Sequence, residues 1–522
     1  MKLLKAISFI SFCIAISVLL TLTIKGNEGN PLPFQNDHNT KVGGPFEASN
    51  TTSRYALTLA IAENGSFFLN EDLAKFASPD VVKYKDMYMS IFAPGVSFIV
   101  IPFYLFGKKL GLPQVVTFLS VTFFALFNLF LIAWISIKLG SGFWTGFLGG
   151  FIFLFGTNAL SYAQTLSQHH FTVTVALLAI ITAMGKRTLI KNIWFGILFG
   201  LGVLVDIPNV FLLAPILIYI LYRQFYREIS AEIIRVNMSL NFIGLILGVL
   251  PFIALFAWYN RATTGSYTML AQSIGRMEEH GETFSQSDSV ILREQKDVRA
   301  PKGIRLPFNP RKQLAGAYTL FISDERSWIY YSPVVLLGIF GLFKLLKNQK
   351  YREFAAVSLS VIFLNGIMYS MFGDPWGGWA FGPRYLIPAG ALLSIGLSII
   401  YTNWNRNILF MLIFVILAIY SLRINTLGVT TTTMIPPKIE AINLPKPIPY
   451  TYDYNFQLLN KNISSSLIYN RFLSKKLTAT DYSYRLFISV SSVFLLLTIA
   501  SYFEIKTLIK KSHYRKIYIN NI

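Results

Sequence analysis

The segment PWGGWAFGPRYLIP, at residues 375–388, joins an arginine to aromatic side chains and to glycine and proline turn residues in a largely apolar chain. An ionised side chain is costly where a helix meets a membrane surface, so Arg384 is a candidate for binding an anion. Trp376, Trp379 and Tyr385 are candidates for contacting the same bound molecule. The alternative is a belt of interfacial aromatic residues with a snorkelling arginine.

A second group of charged side chains surrounds the sequence SNTTSRYALTLAIAENG at residues 49–65. Hydroxyl residues at its start, helix formers in its middle and Asn-Gly at its end predict a short amphipathic helix at the membrane surface. Glu47, Arg54 and Glu63 would then form one compact group of a base and two carboxylates. The alternative is a solvated helix with local ion pairs.

A carboxylate and tyrosines lie close together in SPDVVKYKDMYMSIFAPG, at residues 78–95. Asp80, Tyr84 and Tyr88 precede a Pro-Gly break and an apolar run. Aromatic rings stack on sugar faces and carboxylates accept protons from hydroxyls, so this composition suits sugar recognition. Ordinary interfacial tyrosines are the alternative.

Two groups of residues have some character of metal ligands or proton carriers. His169 and His170 stand at the start of an apolar run, where a pair without a third ligand is more often a polar cap. Glu278, Glu279 and His280 form a weaker group in a long polar loop. The sequence therefore leaves the metal requirement open.

Arg326 lies in DERSWIYYSP, at residues 324–333, between an acidic pair and aromatic residues. It either pairs locally with Asp324 and Glu325 or faces an anion. The chain has no P-loop, no GxGxxG after a strand, no HExxH, no GxSxG and no DxD motif. This argues against a nucleotide-linked donor and against the familiar hydrolytic mechanisms.

The composition is that of a membrane protein. Of 522 residues, 53% are hydrophobic and 14% are charged, and the mean hydropathy is +0.51, which excludes a water-soluble domain of this size. The formal charge of +21 resides in short clusters between apolar runs, so it reports membrane topology rather than a nucleic-acid partner. Cys13 is the only cysteine, which excludes a disulfide within the chain.

Placing the basic clusters in the cytoplasm predicts an all-α polytopic protein with about twelve transmembrane helices and both termini inside. The first apolar run is interpreted as a retained helix, and residues 90–106 as a short helix in the outer face. Residues 190–222 are too long for one crossing, so the chain must turn near Asp206, Pro208 and Asn209. The predicted crossings lie at residues 4–24, 113–137, 143–160, 167–184, 190–205, 210–222, 240–258, 328–346, 354–371, 385–401, 408–422 and 486–502.

This topology places every chemically interesting segment on the outer face. The predicted organisation is a transmembrane module at residues 1–424 with outer loops at 25–89 and 259–327, an outer segment at 425–484, and a final helix with a basic cytoplasmic tail at 485–522. The other outer segments are at residues 164–170, 206–209 and 373–384. We therefore expect a multi-pass protein of the cell membrane with its site on the outer face.

The chain resembles the GT-C superfamily of membrane glycosyltransferases, near the branch with protein O-mannosyltransferases and aminoarabinose transferases. The resemblance covers most of the chain in order and rests on SRYALTLAIAENGS, KYKDMYMSIFAPGVS, DERSWIYYSP and WGGWAFGPRYLIP. It implies a bundle of about twelve helices with short interfacial helices in the first outer loop. It also implies transfer of a sugar from a polyprenyl-phosphate carrier to a protein, lipid or glycan acceptor on the outer face.

In such enzymes a first-loop carboxylate is the general base, and basic residues or a divalent metal ion stabilise the departing lipid phosphate. Here Thr51 and Thr52 stand where the family often has an acidic pair, and a lysine before the Pro-Gly is replaced. The resemblance then makes Asp80 the first choice for the base and Glu47 the second.

The other roles follow from the same resemblance. The donor phosphate is assigned to Arg384, Arg326 and Arg54. Substrate contacts are assigned to Glu63, Tyr84, Tyr88, His169, His170, Trp376, Trp379 and Tyr385. The implied partners are a polyprenyl-phosphate sugar, an outer-face acceptor and membrane lipid.

Two other classes of protein remain as alternatives. A transporter or lipid flippase would carry ionisable groups at mid-membrane and broken helices in matching halves, and only Asp206 with Pro208 resembles that pattern. A scaffold subunit without chemistry would have outer loops that converge on no cavity. Convergence of the outer charged residues is therefore the observation that separates these classes.

Overall fold

The structure is a computed structural model that describes residues 2–29, 41–185, 188–229, 234–274 and 308–520. Parts of the predicted outer loops at 25–89 and 259–327 therefore lie outside the described residues. The group of Glu278, Glu279 and His280 also lies outside them.

Helices form nearly all of the regular structure. The first eleven are α1 Lys2–Thr21, α2 Ser49–Asn64, α3 Glu71–Ala77, α4 Gly95–Lys109, α5 Pro113–Lys138, α6 Phe143–Phe155, α7 Ala159–Tyr162, α8 His169–Ala183, α9 Leu189–Val205, α10 Asn209–Gln224 and α11 Ile243–Thr264. The others are α12 Ala271–Ile274, α13 Gln313–Phe321, α14 Trp328–Tyr331, α15 Gly338–Leu346, α16 Arg352–Ser370, α17 Ile387–Trp404, α18 Ile408–Thr430, α19 Lys438–Asn443, α20 Asp453–Asn460 and α21 Ala479–Asn520.

The strands form two separate antiparallel hairpins. Strand β1 (Val81–Tyr84) pairs with β2 (Met87–Ser90), with Val81 opposite Ser90. Strand β3 (Phe225–Ile229) pairs with β4 (Ile234–Met238), with Phe225 opposite Met238.

Within the described residues, six helical segments are long and apolar enough to cross a membrane. They are Pro113–Lys138, Leu240–Thr264, Arg352–Ser370, Arg384–Trp404, Ile408–Thr430 and Ala479–Thr507. Six shorter apolar segments are Ala6–Thr21, Phe143–Phe155, His169–Ala183, Leu189–Val205, Asn209–Gln224 and Pro333–Leu346. Every predicted crossing overlaps one of these twelve, whereas the number that actually cross stays a prediction.

The chain turns where the sequence predicts, between α9 and α10. Helix α9 ends at Val205, and α10 begins at Asn209, whose side-chain amide donates to the Gly202 carbonyl at 2.9 Å. At the other end of α10, Arg223 Nη1 donates to the Gly185 carbonyl oxygen at 2.9 Å, just past the end of α8. The ends of α8 and α10 that the charge pattern assigns to the cytoplasm therefore lie together.

The first outer loop is more deeply packed than the predicted surface helix. Helix α2 has the predicted bounds and ends at Gly65, whose φ of 61° is left-handed, but residues Thr51 to Ala60 are all buried. The Phe46 ring packs against Tyr55 and Phe118 at centroid distances of 4.8 and 5.3 Å, which joins the loop to α5. Apolar side chains occur on all sides of α2, so burial against α3 and α4 removes more apolar surface from water than one exposed face would allow.

Helices α15 and α17 approach closely because glycines line their crossing. A Cβ atom on Gly341 would lie 1.8 Å from the Gly396 carbonyl oxygen, and one on Gly338 would lie 1.9 Å from the Leu393 carbonyl oxygen. Small residues at such crossings let two backbones come into van der Waals contact inside a membrane.

We predict that Gly341→Ala lowers the stability of the protein by about 1–3 kcal/mol, because the methyl group overlaps backbone that cannot move alone. Gly390→Ala on α17 is the matched control, since no atom lies within 4 Å of its Cβ position. Thermal unfolding in detergent should show a lower midpoint for Gly341→Ala and an equal or higher midpoint for Gly390→Ala. Equal midpoints in both variants would contradict the close crossing.

Candidate functional site

Arg54 is a buried cation that α2 carries into the centre of the first outer loop. Its Nη1 donates to the Asn50 carbonyl oxygen at 3.0 Å, and its guanidinium carbon lies 4.0 Å from the centroid of the Phe92 ring. Its Nε is buried and makes no hydrogen bond to any described group. Burial lowers the pKa of Arg54 to about 10, against the opposite effects of Asp206 and Asp80, so the side chain stays charged at neutral pH.

Arg384 is a second cation with a free donor, positioned by the loop that precedes α17. Its Nε is buried without a hydrogen-bond partner in the described chain, and its guanidinium carbon lies 5.4 Å from the Tyr385 ring centroid. Gly377 has a φ of 74°, and a Cβ there would lie 2.7 Å from Arg384 Nε. Asp374 holds this turn by accepting from the backbone N–H of Gly377 at 3.1 Å and of Gly378 at 2.5 Å.

Asp206 is a carboxylate whose pKa the charges of both Arg54 and Arg384 act to lower. It lies in the connection between α9 and α10, and its Oδ2 accepts from Gln168 Nε2 at 3.3 Å. Burial raises the pKa of Asp206 to about 6, although Arg54, the Gln168 hydrogen bond and Arg384 act to lower it. The carboxylate can therefore exchange a proton near neutral pH.

Further polar atoms at this end of the bundle lack partners. His169 Nε2 and Gln168 Oε1 are buried and make no hydrogen bond to the described residues, and the charges of Arg54 and Arg384 both act on His169. The His169 ring packs edge-on against Tyr162 at 5.1 Å. Trp376 Nε1, beside Gly377, is also buried and has no hydrogen-bond partner among the described residues. Buried polar groups normally have hydrogen-bond partners, so this concentration of unfilled atoms marks a place for a polar ligand.

His170, the neighbour of His169, lies in a different environment. Its Nε2 is 2.8 Å from the Ala159 carbonyl oxygen, and Asn128 donates to its backbone carbonyl oxygen at 2.9 Å. Successive residues of a helix point about 100° apart, which explains why one histidine is bonded within the bundle and the other is not.

Asp80 immediately precedes β1 and contacts the first residues of α2, the helix that carries Arg54. Its Oδ2 accepts from Ser49 Oγ at 2.7 Å, and its backbone oxygen accepts from Ser53 Oγ at 2.6 Å. Its charge acts on Arg54, which places this first-choice base at the edge of the site.

Glu47 is fully bonded inside the protein. Its carboxylate accepts from Gly43 N at 2.8 Å, from Thr432 Oγ1 at 2.5 Å, and from Thr433 N and Oγ1 at 2.8 and 2.9 Å. Lys25 Nζ lies 3.3 Å away, and both charged side chains are almost completely buried. These five donors fill the acceptor sites of the carboxylate, which gives Glu47 the environment of an anchor.

Arg326 is likewise occupied by main-chain partners. Its Nη1 donates to the Glu325 carbonyl at 2.7 Å, its Nε to the Trp376 carbonyl at 3.3 Å, and its Nη2 to the Ile435 carbonyl at 2.5 Å. The Ile435 carbonyl also accepts from Ala380 N at 2.9 Å. Arg326 therefore braces the loop that leads to Arg384.

Two other predicted contacts hold the same region. Trp379 Nε1 donates to Glu440 Oε2 at 2.6 Å, which ties the loop to α19. The Tyr385 ring stacks on Tyr369 with centroids 4.3 Å apart and planes 6° apart. Tyr385 thus borders the site beside Arg384, whereas the Trp379 nitrogen is already occupied.

Glu63 has its own partners at the far end of α2. Lys108 Nζ lies 2.6 Å from its Oε2, and Tyr104 donates to its Oε1 at 2.7 Å. Burial acts to raise the pKa of Glu63, but the hydrogen bonds from Lys108 and Tyr104 outweigh it and lower that pKa. Nine residues of helix separate Glu63 from Arg54, a distance of about 14 Å at 1.5 Å per residue.

Tyr84 and Tyr88 lie on the β1–β2 hairpin. Lys85 Nζ is 5.4 Å from the Tyr84 ring centroid, and Lys83 Nζ is 5.8 Å from that of Tyr88. Their recorded cation–π partners are lysines of the same hairpin, so their contact with substrate stays a prediction.

The described residues contain no group of three or more His, Cys, Asp or Glu side chains that could hold a metal ion. A metal alternative for the phosphate therefore has no ligand set in the ranges that the structure describes. The cations present in the site are Arg54 and Arg384.

Asp206 is the site residue that sequence reasoning left outside the candidate set. The available signal was an acidic residue at a break between two apolar helices, beside Pro208. That signal located the turn, but nothing in the sequence shows that Arg54, more than 150 positions earlier, lies beside it.

We predict that Glu47→Gln destabilises the protein by about 3–5 kcal/mol, because the Lys25 ammonium is left buried without a carboxylate. Glu63→Gln is the control, and removing its half-exposed ion pair should change stability by at most about 1 kcal/mol. The double variant Lys25→Met, Glu47→Gln should recover part of the loss, since the buried charge is gone. Unfolding in detergent measures all three, and wild-type stability of Glu47→Gln would contradict the anchoring role.

No protein-family model and no curated protein matches the sequence. Among solved structures, the apo crystal structure of ArnT from Cupriavidus metallidurans is similar, with 12% identity and a TM-score of 0.46. The similarity covers 96% of this chain and 78% of that chain. A TM-score below 0.5 at this identity does not assign the chain to a fold or to a family.

Proposed function

We propose that this protein is a membrane glycosyltransferase that moves a sugar from a polyprenyl-phosphate donor to an acceptor hydroxyl on the outer face. The observation that carries the proposal is the pair of buried arginine Nε donors, on Arg54 and Arg384, on which no described group accepts. Both cations act on one carboxylate, Asp206. The resemblance of the motifs that contain these two arginines to GT-C sequences supports the same reading.

The arginines suit the phosphate of a lipid-linked sugar. Guanidinium groups bind phosphate through directed N–H donors and remain charged when buried. The guanidinium charges of Arg54 and Arg384 can offset the single negative charge of a phosphodiester. When the sugar leaves, the phosphate gains a second charge, and fixed cations favour that state over the bound donor.

Asp206 is the best-placed general base. It uses one recorded hydrogen bond, from Gln168, and its pKa of about 6 lies near working pH, where a base is most effective. Glu47 is saturated by five donors, which leaves Asp206 and Asp80 as candidates, and of these Asp206 is the one on which both arginines act. Asp80 stays the alternative base because it lies beside Arg54.

The reaction is a displacement at the anomeric carbon of the donor. Asp206 takes the proton of the acceptor hydroxyl, the acceptor oxygen bonds to the anomeric carbon, and the bond from that carbon to the phosphate oxygen breaks. Polyprenyl phosphate leaves with the electron pair, held by Arg54 and Arg384. His169 Nε2 and Trp376 Nε1 are further donors for sugar or phosphate oxygens.

Aromatic side chains continue outward from Arg384. Tyr385 packs on Phe372 at 5.5 Å, and Phe308 lies 6.3 Å from Phe372 and 5.3 Å from Phe211 on α10. This row of rings supports contact with the apolar face of a sugar or with the first isoprene units of the carrier.

The location on the outer face rests on charge. Arg54, His169, Asp206 and Arg384 come from four segments that the sequence assigns to the outer side, and they meet at one end of the bundle. Arg223 marks the opposite, basic end through its bonds near the end of α8. Cytoplasmic connections rich in Lys and Arg support an outward-facing site.

A transporter or flippase is the second candidate, favoured by the ionisable Asp206 at a break between two apolar helices. It would move the lipid-linked sugar without breaking a bond. Reconstitution in liposomes separates the two functions, since translocation of intact donor without release of polyprenyl phosphate would replace the proposed transfer.

We predict that Arg384→Gln weakens binding of polyprenyl phosphate and lowers sugar transfer by about a hundredfold or more. Binding is measured with purified protein, and transfer as release of polyprenyl phosphate from a labelled polyprenyl-phosphate sugar in the presence of acceptor membranes. The exposed Arg406→Gln is the matched control and should behave as wild type. Wild-type binding of polyprenyl phosphate by Arg384→Gln would contradict the role of Arg384 in binding the phosphate, whatever the acceptor is.

We predict that Asp206→Asn lowers transfer by about a hundredfold or more while binding of polyprenyl phosphate persists, because a base acts on the acceptor. Asp481→Asn, at the exposed start of α21, should leave transfer unchanged. If Asp80→Asn abolishes transfer and Asp206→Asn does not, the base is Asp80.

The pH dependence gives a separate test of the Asp206–Arg54 interaction. A base must be deprotonated, so transfer should rise with pH through about 6 and then level off. Arg54 lowers the pKa of Asp206, so Arg54→Gln should move the rising limb of its residual activity to higher pH. A limb that stays in place in Arg54→Gln would show that Asp206 does not control it.

A further inference from the structure

Arg423 is a cation that the proposed site does not use. It lies on α18, two turns before the end of that helix, within a segment long and apolar enough to span a membrane. Its guanidinium carbon is 5.4 Å from the Phe456 ring centroid and 5.5 Å from that of Phe487. The two rings come from α20 and α21, so three helices enclose the side chain.

No carboxylate or carbonyl oxygen within the described chain accepts a hydrogen bond from this guanidinium, and its Nη1 atom is buried. Aromatic faces attract a cation but supply no acceptor oxygen for its N–H groups. A charge at membrane depth that lacks a partner is expensive, which is why such residues usually have a binding role. The described residues thus give this site a positive charge and directed donors but no anionic partner.

The position of Arg423 indicates which anion fits. Ile416 is seven residues earlier on α18, two helical turns below on the same face, and it is 65% exposed. On α21, Ile488, Leu496 and Ile499 are also exposed, whereas Tyr484 and Arg485 stand above them. The outer surface of this helix pair therefore changes from aliphatic to aromatic and basic at the level of Arg423 and Phe487.

Such a change is typical of the boundary between hydrocarbon and headgroups, where Trp, Tyr, Lys and Arg concentrate. A lipid lying along the exposed aliphatic side chains would bring its phosphate to the height of Arg423. A free phosphate ion would have no use for the aliphatic surface beneath. The shape and charge of this surface therefore favour a phosphate that carries acyl chains.

We propose that Arg423, held between Phe456 and Phe487, is the binding site for the phosphate group of a membrane phospholipid seated against α18 and α21. The guanidinium donates to the phosphate oxygens, and the acyl chains cover the exposed aliphatic residues of both helices. The ligand binds without any bond being made or broken. The site is separate from Arg54, Arg384 and Asp206, so it stands whether or not the proposed transfer occurs.

The test compares Arg423→Met with wild type, using purified protein in detergent. Phosphatidylglycerol is the probe, diacylglycerol with the same chains lacks the phosphate, and inorganic phosphate lacks the chains. We expect phosphatidylglycerol alone to raise the unfolding temperature of the wild type. Charge-assisted hydrogen bonds contribute enough that Arg423→Met should raise the half-saturating lipid concentration about tenfold or more.

Arg471→Met is the matched control. This exposed arginine already pairs with Glu28 at 2.8 Å, and its loss should leave the response to phosphatidylglycerol unchanged. Arg423→Gln, which keeps a polar side chain, provides the same comparison if the methionine variant does not fold.

The control condition without lipid distinguishes a binding site from a structural brace. Removing a half-buried charge that has no hydrogen-bond partner in the described chain should leave the unfolding temperature in lipid-free detergent equal or higher. The proposal is overturned if Arg423→Met unfolds earlier without lipid and keeps the full response to phosphatidylglycerol. It is also overturned if inorganic phosphate or diacylglycerol stabilises the wild type as much as phosphatidylglycerol does.

Discussion

The architecture of the candidate site depends on one buried carboxylate, that of Glu47. Two residues after it α2 begins and carries Arg54, and the hydroxyl and amide groups that Glu47 accepts from belong to Thr432 and Thr433. Three residues beyond Thr432, the Ile435 carbonyl accepts from Ala380 N and Arg326, in the loop region that leads to Arg384. Segments nearly 400 positions apart in sequence are thus tied together. Burying this carboxylate is tolerable because donors fill it, and its bonds tie the segment that leads to Arg54 to the segment that contacts the loop before Arg384.

The number of hydrogen bonds that a charged side chain already makes within the protein distinguishes supporting residues from reacting ones. Arg326 and Arg384 lie within 60 positions of each other, and the sequence predicts the same role for both. Main-chain carbonyls occupy all three nitrogens of Arg326, whereas Arg384 Nε has no partner in the described chain. Each nitrogen of Arg326 is held by a carbonyl oxygen and the side chain is fully buried, so Arg326 could turn toward a phosphate only by giving up some of these bonds. An unfilled guanidinium gains bonds, so ligand binding removes a cost that the free protein carries.

Much of the fold follows from the sequence because helix signals are local. Helix formers and the Asn-Gly end predict α2 closely, although its N-cap is Ala48 and no side chain caps it, and the length of an apolar run forces the turn near Asp206. The charge pattern also groups the segments that carry Arg54, Asp206 and Arg384 on one face, before any contact is known. Local signals do not show which sides of a helix are buried. For this reason the sequence predicts an amphipathic surface helix, whereas α2 is packed on all sides.

The roles of individual charged residues could not be predicted, because the fold, and not the neighbouring sequence, determines which side chains come into contact. Glu47 precedes α2 and Glu63 lies in its last turn, and the sequence alone does not distinguish them. Glu47 nevertheless pairs with Lys25 inside the protein, whereas Glu63 pairs with Lys108 in a half-exposed position. His169 and His170 are adjacent, yet His170 Nε2 lies 2.8 Å from the Ala159 carbonyl oxygen whereas His169 Nε2 has no hydrogen-bond partner among the described residues.

The difference in free energy between charged groups with and without hydrogen-bond partners is larger in a membrane than in water. In a soluble protein an unpaired guanidinium at the surface is hydrated at little cost, whereas hydrocarbon offers it no acceptor. Arg54 and Arg384 meet this constraint through Asp206, which they hold partly ionised despite its burial. Arg423 has no such carboxylate within the described residues, and only ring faces enclose it. The two places therefore call for different anions: an exchangeable one that must leave after reaction, and a lipid phosphate that can stay.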